Sequence, residues 1–120
     1  MMTPIRDLPE NVLGVHASGT VTADDYTAVL IPSVEATLKQ QDHIRLLYEL
    51  GNDFSGFSPG AMWMDTRMGL AHWSAWEKVA VVSDIGWIRN TMKMMRPLLP
   101  GEIKLFHNDE LPAAKQWLTH

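Results

Sequence analysis

The sequence contains no cysteine. That absence removes disulfides, thiolate catalysis and cysteine metal sites together. No apolar run approaches the roughly 20 residues that a membrane-spanning helix needs, so no transmembrane segment is expected. The N-terminal MMTPIRDLPE lacks the apolar stretch of a signal peptide, and a cytoplasmic location is the expectation. Basic residues are the minority: 10 Lys and Arg stand against 14 Asp and Glu, for a formal net charge of −4. Nucleic-acid binding rests on a basic surface, so no nucleic-acid partner is expected.

The motifs of catalysis are missing too. There is no Gly-x-Ser-x-Gly elbow, and GNDFSGFSPG lacks the Lys-Ser/Thr ending of a phosphate-cradling loop. His16, His43, His72, His107 and His120 are scattered and form no His-x-x-x-His ligand pair. Asp65 and His72, seven residues apart, share a helix side but fall short of a catalytic pair. No enzyme activity, no catalytic residue, no metal and no cofactor are expected.

What the chain does have is apolar bulk. Apolar residues make up 46% of its 120 residues, including 5 Trp and 8 Met. That is the composition of one globular domain with a sizeable core. The segment NVLGVHASG, 11–19, alternates as a strand, and the residues before it suit a short first strand with a turn at Pro9-Glu10-Asn11. TVTADDYTAVLIPSVEATLKQQ reads as a helix with Thr22 as N-cap and Asp25 in a capping-box position. Pro32 should bend that helix or mark an offset in it. IRLLYEL, 44–50, is a strand, and GNDFSGFS after it reads as a loop.

Ser58 and Pro59 then supply an N-cap and a first-turn proline for a second helix. KVAVVS, 78–83, is a strand apolar on both pleats. Asp84 is the expected cap of a third helix, Ile85 to about Arg96, which Pro97 and Pro100 end. EIKLF, 102–106, is an edge strand with Lys104 outward, and a last helix begins at Asn108 or Asp109 and runs through Trp117. Strands alternating with helices predict an α/β sandwich: a mainly parallel sheet of about five strands, an antiparallel N-terminal edge and about four helices, all in one domain, 1–120.

The second helix carries more apolar bulk than one buried stripe needs. At about 100° per residue, Ala61, Met64, Met68 and Ala71 share one side. Met62, Gly69 and Trp73 share another, and Trp63 with Leu70 a third. On the third helix Ile85, Ile88, Met92 and Met95 form the core stripe, with Trp87 and Met94 off it and Arg89, Lys93 and Arg96 as a basic ridge.

Several stretches carry a resemblance: ASGTVTADDY, IRLLYEL, GFSPGAMWMD, GLAHW with WEKVAVVSD, WIR and PGEIKLF. Together they resemble the SpoIIAA-like small bacterial proteins of the STAS-like group, named for sulfate transporters and anti-sigma-factor antagonists. The resemblance spans nearly the whole chain and implies a STAS-like sandwich, akin also to the CRAL-TRIO domains that hold apolar ligands. It implies a non-enzymatic regulatory or protein-interaction module. Antagonists of that group bind a partner kinase. They are switched by phosphorylation of a Ser, in an Asp-Ser-Ser-Gly type motif, at the start of the helix after the central strand. Here that place reads GFSPG. Ser58 matches by position and the motif is absent, so a structural N-cap is the expectation.

Three occupants remain for the surplus side chains. A second copy of the chain would make a homodimer with Met62, Trp63 or Trp73 at the contact. A small apolar or amphipathic ligand would sit between the second and third helices. Its candidate binding residues are Ser58, Trp63, Met64 and Met68, with Trp87, Met92 and Met94 opposite. Phe54 and Phe57 would form a lid, and Arg67 and Arg89 would hold a carboxylate or phosphate head. A lipid surface meeting the basic ridge is the third.

Overall fold

Side chains apolar on both pleats require cover on both faces, and this puts Ile44–Leu50 at the centre of the molecule. The computed structural model describes residues 1–6, 8–9, 11–99 and 101–119. It contains one five-stranded sheet: β1 (Met2–Ile5), β2 (Val12–Val21), β3 (Ile44–Phe57), β4 (Trp76–Val82) and β5 (Glu102–Phe106). The strand order is β1-β2-β3-β4-β5. β1 pairs antiparallel to β2 and every later pair is parallel. Four helices follow the last four strands. They are α1 (Ala23–Asp25, the π-turn Tyr26–Leu30 and Ile31–Leu38), α2 (Pro59–Ala71), α3 (Gly86–Met95) and α4 (Leu111–Thr119). No helix among the described residues is long and apolar enough to cross a membrane.

The order never reverses, so each crossover steps to the next strand in the same direction. Crossovers share one hand, and three such steps place α1, α2 and α3 on one face. The core agrees. Val15, Leu46, Tyr48, Leu50 and Val81 pack with Tyr26, Leu30, Met68 and Ile88 on that side. On the other side Leu47, Ala80 and Val82 pack with Ala114 and Leu118 of α4, and Ile5 and Leu8 join the same cluster. The last carbonyls of α4 accept from cations of the sheet: Arg45 Nη1 reaches Leu118 O at 2.6 Å and Lys78 Nζ reaches Trp117 O at 3.2 Å. Positive groups there oppose the helix dipole.

Several local expectations are corrected. GNDFSGF is not a free loop but the second half of β3. Ala17 pairs with Leu50 and Gly19 with Phe54, so β3 advances four residues while β2 advances two. The surplus is absorbed as a bulge, with Gly19 at φ 57°; β2 offers a long edge, and pairing to it satisfies backbone that a loop would leave to water. Asp84 does not cap α3. Its carboxylate accepts from Asn108 N at 3.1 Å and bonds His107 Nδ1 at 2.9 Å, tying the end of β4 to the end of β5. The Asn108 amide, followed by His107, holds the Asp84 carboxyl below its usual pKa.

Thr22 does cap α1, in a capping box with Asp25. The offset at Pro32 takes the form of the π-turn, in which Ile31 N–H donates to Tyr26 O, five residues back. Proline cannot donate and crowds the preceding turn, and a widened turn removes the conflict. The turn after β1 closes with Val12 N–H donating to Pro9 O at 3.0 Å. Glu10 of that expected turn, Pro100 and His120 lie outside the described residues.

Two backbone features generate predictions. Ser58 Oγ accepts from Ala61 N–H at 3.0 Å as the N-cap of α2, so Ser58→Ala should lower stability by about 1 kcal/mol in urea denaturation. Gly101 has φ 75°, and a Cβ there would stand 2.6 Å from Trp76 O and 2.9 Å from Glu77 O. Gly101→Ala should therefore cost about 2 kcal/mol or more by the same measurement; a loss below about 0.5 kcal/mol would contradict this geometry.

Candidate functional site

α2 buries only Ala61 and Met68, and α3 only Ile88. The two helices stand apart, and their remaining apolar side chains line a cleft of about 500 Å³. That volume lies within the roughly 300–1,000 Å³ of small-molecule sites. The floor is the sheet: Leu46, Tyr48 and Leu50 of β3, Val79 and Val81 of β4, and Ile103 of β5. α2 contributes Met62, Asp65, Met68 and Gly69; α3 contributes Trp87, Ile88, Thr91, Met92 and Met95. Phe57 and Trp87 stand where β3 and β4 finish, and Trp73, Trp76 and Leu99 where β4 and β5 begin. With no reversal of strand order there is no switch-point crevice, and the cleft runs over the sheet face instead.

A polar group sits in this apolar space. Tyr26 OH donates to Asp65 Oδ1 at 2.9 Å, and the Tyr26 and Tyr48 hydroxyls are 3.2 Å apart. Each comes from a different element. The π-turn of α1 presents Tyr26, the alternation of β3 turns Tyr48 inward with Leu46 and Leu50, and Asp65 descends from the middle of α2. Tyr26 has one proton and gives it to Asp65, so Tyr48 must donate to the Tyr26 oxygen. Lone pairs on Tyr48 and the second oxygen of Asp65 remain free among the described residues.

Burial, followed by the Asp65 charge, pushes the Tyr26 phenol far above its ordinary pKa. Burial also raises the Tyr48 phenol. Asp65 itself is exposed to solvent. Protein crowds it elsewhere, and that desolvation raises its carboxyl pKa against the lowering effect of the Tyr26 hydrogen bond. No Lys, Arg or His is among the described lining residues. Deeper in the cleft wall, Trp76 is 8% exposed and its Nε1 is buried with no hydrogen-bond partner among the described residues. No group of three or more potential metal ligands occurs among the described residues.

The residues singled out from sequence separate into three places. Met68, Trp87 and Met92 line the cleft, as does Phe57. Phe54 is buried, meets Phe57 edge-to-face at 5.0 Å and lies 6.1 Å from Trp87, buttressing one end. Ser58 is engaged as the N-cap, and Met64 is half-buried against the core. Arg89 Nη1 donates to Ser83 O and Phe106 O, both at 2.9 Å, joining α3 to the ends of β4 and β5. Arg67 is exposed and lines no part of the cleft, and Met94 is 78% exposed. Met62 and Trp73 line the cleft mouth while remaining 61% and 46% exposed; Trp63, 63% exposed, points away from it.

The polar trio was the part sequence reasoning missed. Its signal was slight: Asp65 is the lone acid of α2, Tyr48 the one inward side chain of β3's apolar half with a polar tip, and Tyr26 stands one turn and a half before Pro32.

The fold has a known counterpart. A solved structure of an uncharacterized protein from the DUF3478 family with a SpoIIAA-like fold, from Shewanella loihica PV-4, is similar at 25% identity and a TM-score of 0.78. The match covers 98% of this chain and 92% of that one. No curated protein matches the chain. The SpoIIAA-like family model matches residues 12–119, from the start of β2 to the last residue of α4, and the chain belongs to that family.

Proposed function

We propose that this domain is a non-enzymatic binding module that holds a small, largely apolar ligand between α2 and α3, as its carrier or its sensor. One observation carries the reading: a cleft of about 500 Å³ with apolar walls and a single hydroxyl–carboxyl cluster. Binding sites are built that way, with much apolar surface for affinity and few polar groups for orientation. The cleft is open to solvent and leaves the apolar side chains of Met62, Trp73 and Trp87 partly exposed, area that an apolar occupant would remove from water. Regulation of a partner protein fits the same reading, since filling the cleft would fix the positions of α2 and α3.

A second reading, self-association, draws on Trp63. Its indole is exposed outside the cleft, and burying such a ring is a strong reason to associate. Under it the protein sediments as a dimer at tens of micromolar, roughly the regime of a weak interface, and Trp63→Ser shifts it to monomer. A monomeric parent, or a Trp63→Ser dimer, rejects that interface.

Gly69 provides the test of the ligand reading. It lines the cleft, and a Cβ at that position meets nothing within 4 Å. Gly69→Leu should fill the space and also gain about 0.5–1 kcal/mol of helix stability. The parent is expected to bind the neutral fluorophore N-phenyl-1-naphthylamine, and Gly69→Leu to unfold at higher denaturant yet lose the probe. A stable Gly69→Leu protein that binds as the parent does would remove the cleft from consideration.

A further inference from the structure

The lining of the cleft also sets the sign of charge it can accept, a property that matters only if the cleft is the ligand site proposed for it. Asp65 is the one carboxyl among the described lining residues, and no cation lines the cleft with it. The cleft as a whole is rich in aromatic side chains: Tyr48, Phe57, Trp73, Trp76 and Trp87. Aromatic faces attract cations and a carboxylate pairs with them. A fatty acid meets the opposite condition. Its carboxylate would lie beside Asp65, while Arg89 is occupied by two backbone carbonyls and Arg67 lies off the cleft.

We propose that the cleft takes an apolar amine in its cationic form, the ammonium seated on Asp65 and the Tyr48 oxygen and the hydrocarbon tail along Val79, Met92 and Leu99 toward Trp76. The hydrogen-bond order supports the seat. Tyr26 donates to Oδ1 of Asp65 and Tyr48 donates to Tyr26, so the groups left free are acceptors. An ammonium supplies donors and no acceptor. The position of Asp65 in the middle of α2, a helix about 20 Å long, leaves the Trp73–Trp76 end for the tail.

The seat makes binding depend on pH. Burial keeps the proton on Asp65 to higher pH than a free carboxyl of about 3.9. An ammonium needs the carboxylate, so affinity rises as pH rises through the raised Asp65 pKa and levels above it. It falls only when the alkylamine itself deprotonates, near about 10. The titratable groups facing Asp65 are Tyr26 from α1 and Tyr48 from β3, with the Asp25 charge acting on Tyr48. Both phenols stay neutral throughout, since their pKa values lie above the ordinary phenol range. α3 faces the site with Trp87, Ile88, Thr91, Met92 and Met95, none of them titratable.

Calorimetric titration of the full chain with decylammonium, decanol and decanoate tests this. At about pH 8 decylammonium should bind about tenfold tighter than decanol, with decanoate weakest, and its advantage should shrink as the pH falls through the raised Asp65 pKa. Asp65→Asn keeps an oxygen for the Tyr26 hydroxyl; it should bring decylammonium to the level of decanol and flatten the pH profile. If that variant does not fold, the pH profile of the parent decides alone. Decanol or decanoate binding as tightly as decylammonium at about pH 8, or a preference that ignores pH, overturns the amine and leaves the cleft as a site for other apolar ligands. Binding of none of the three overturns both.

Discussion

The placement of α2 depends on a hydrogen bond in an apolar space, Tyr26 OH to Asp65 Oδ1 at 2.9 Å. α2 buries only two side chains, so hydrophobic burial, at about 25 cal/mol per Å² of apolar area, fixes it weakly. Its start is held by the Ser58 cap. Its middle is held by Asp65, drawn down to a phenol that the π-turn of α1 has turned toward the sheet. The carboxyl reaches past its exposed edge to the buried Tyr26 hydroxyl, which donates to it. The contact draws α2 toward α1 and leaves the gap on its other side, facing α3.

That gap follows from topology as much as from side chains. A strand order that never reverses puts three crossover helices over one face of a five-stranded sheet and leaves α4 as the one helix on the other, beside Ile5 and Leu8. α1 packs through Tyr26, Leu30 and Val34, all of them fully or nearly fully buried. α2 and α3 have fewer inward anchors, and they share the floor formed by β3, β4 and β5. The surplus Met and Trp of the second and third helices is thus divided. Met68, Met92, Trp73 and Trp87 face the cleft, and Trp63 and Met94 face solvent.

Much of this was legible in the sequence. Apolar periods of two and of 3.6 place the strands and helices, and Thr22, Ser58-Pro59 and Pro32 mark the starts of two helices and the site of an irregular turn. The second half of β3 was hidden because Gly51, Asn52, Ser55 and Gly56 have turn chemistry, while the pairing that overrides it comes from β2, some 35 residues away in sequence. Asp84 looked like a cap because of its place before a helix. Its bonds go to His107 and Asn108, partners that no local pattern reveals. The polar trio was illegible for the same reason: 22 residues separate Tyr26 from Tyr48, and 39 separate Tyr26 from Asp65. The arginines that suggested an anionic ligand in sequence are spent on backbone carbonyls or on the surface once the chain has folded.

The five indoles report on the central claim directly, because the fold divides them. Trp73, Trp76 and Trp87 line the cleft; Trp63 is on the outer side of α2, and Trp117 packs on Phe106 across the sheet. The decisive measurement is a nitrogen-15 NMR titration of the indole N–H resonances with a neutral apolar amphiphile. The account predicts saturable shifts for Trp73, Trp76 and Trp87 with Trp63 and Trp117 unmoved. Shifts confined to Trp63, or equal at all five, would contradict a ligand site between α2 and α3.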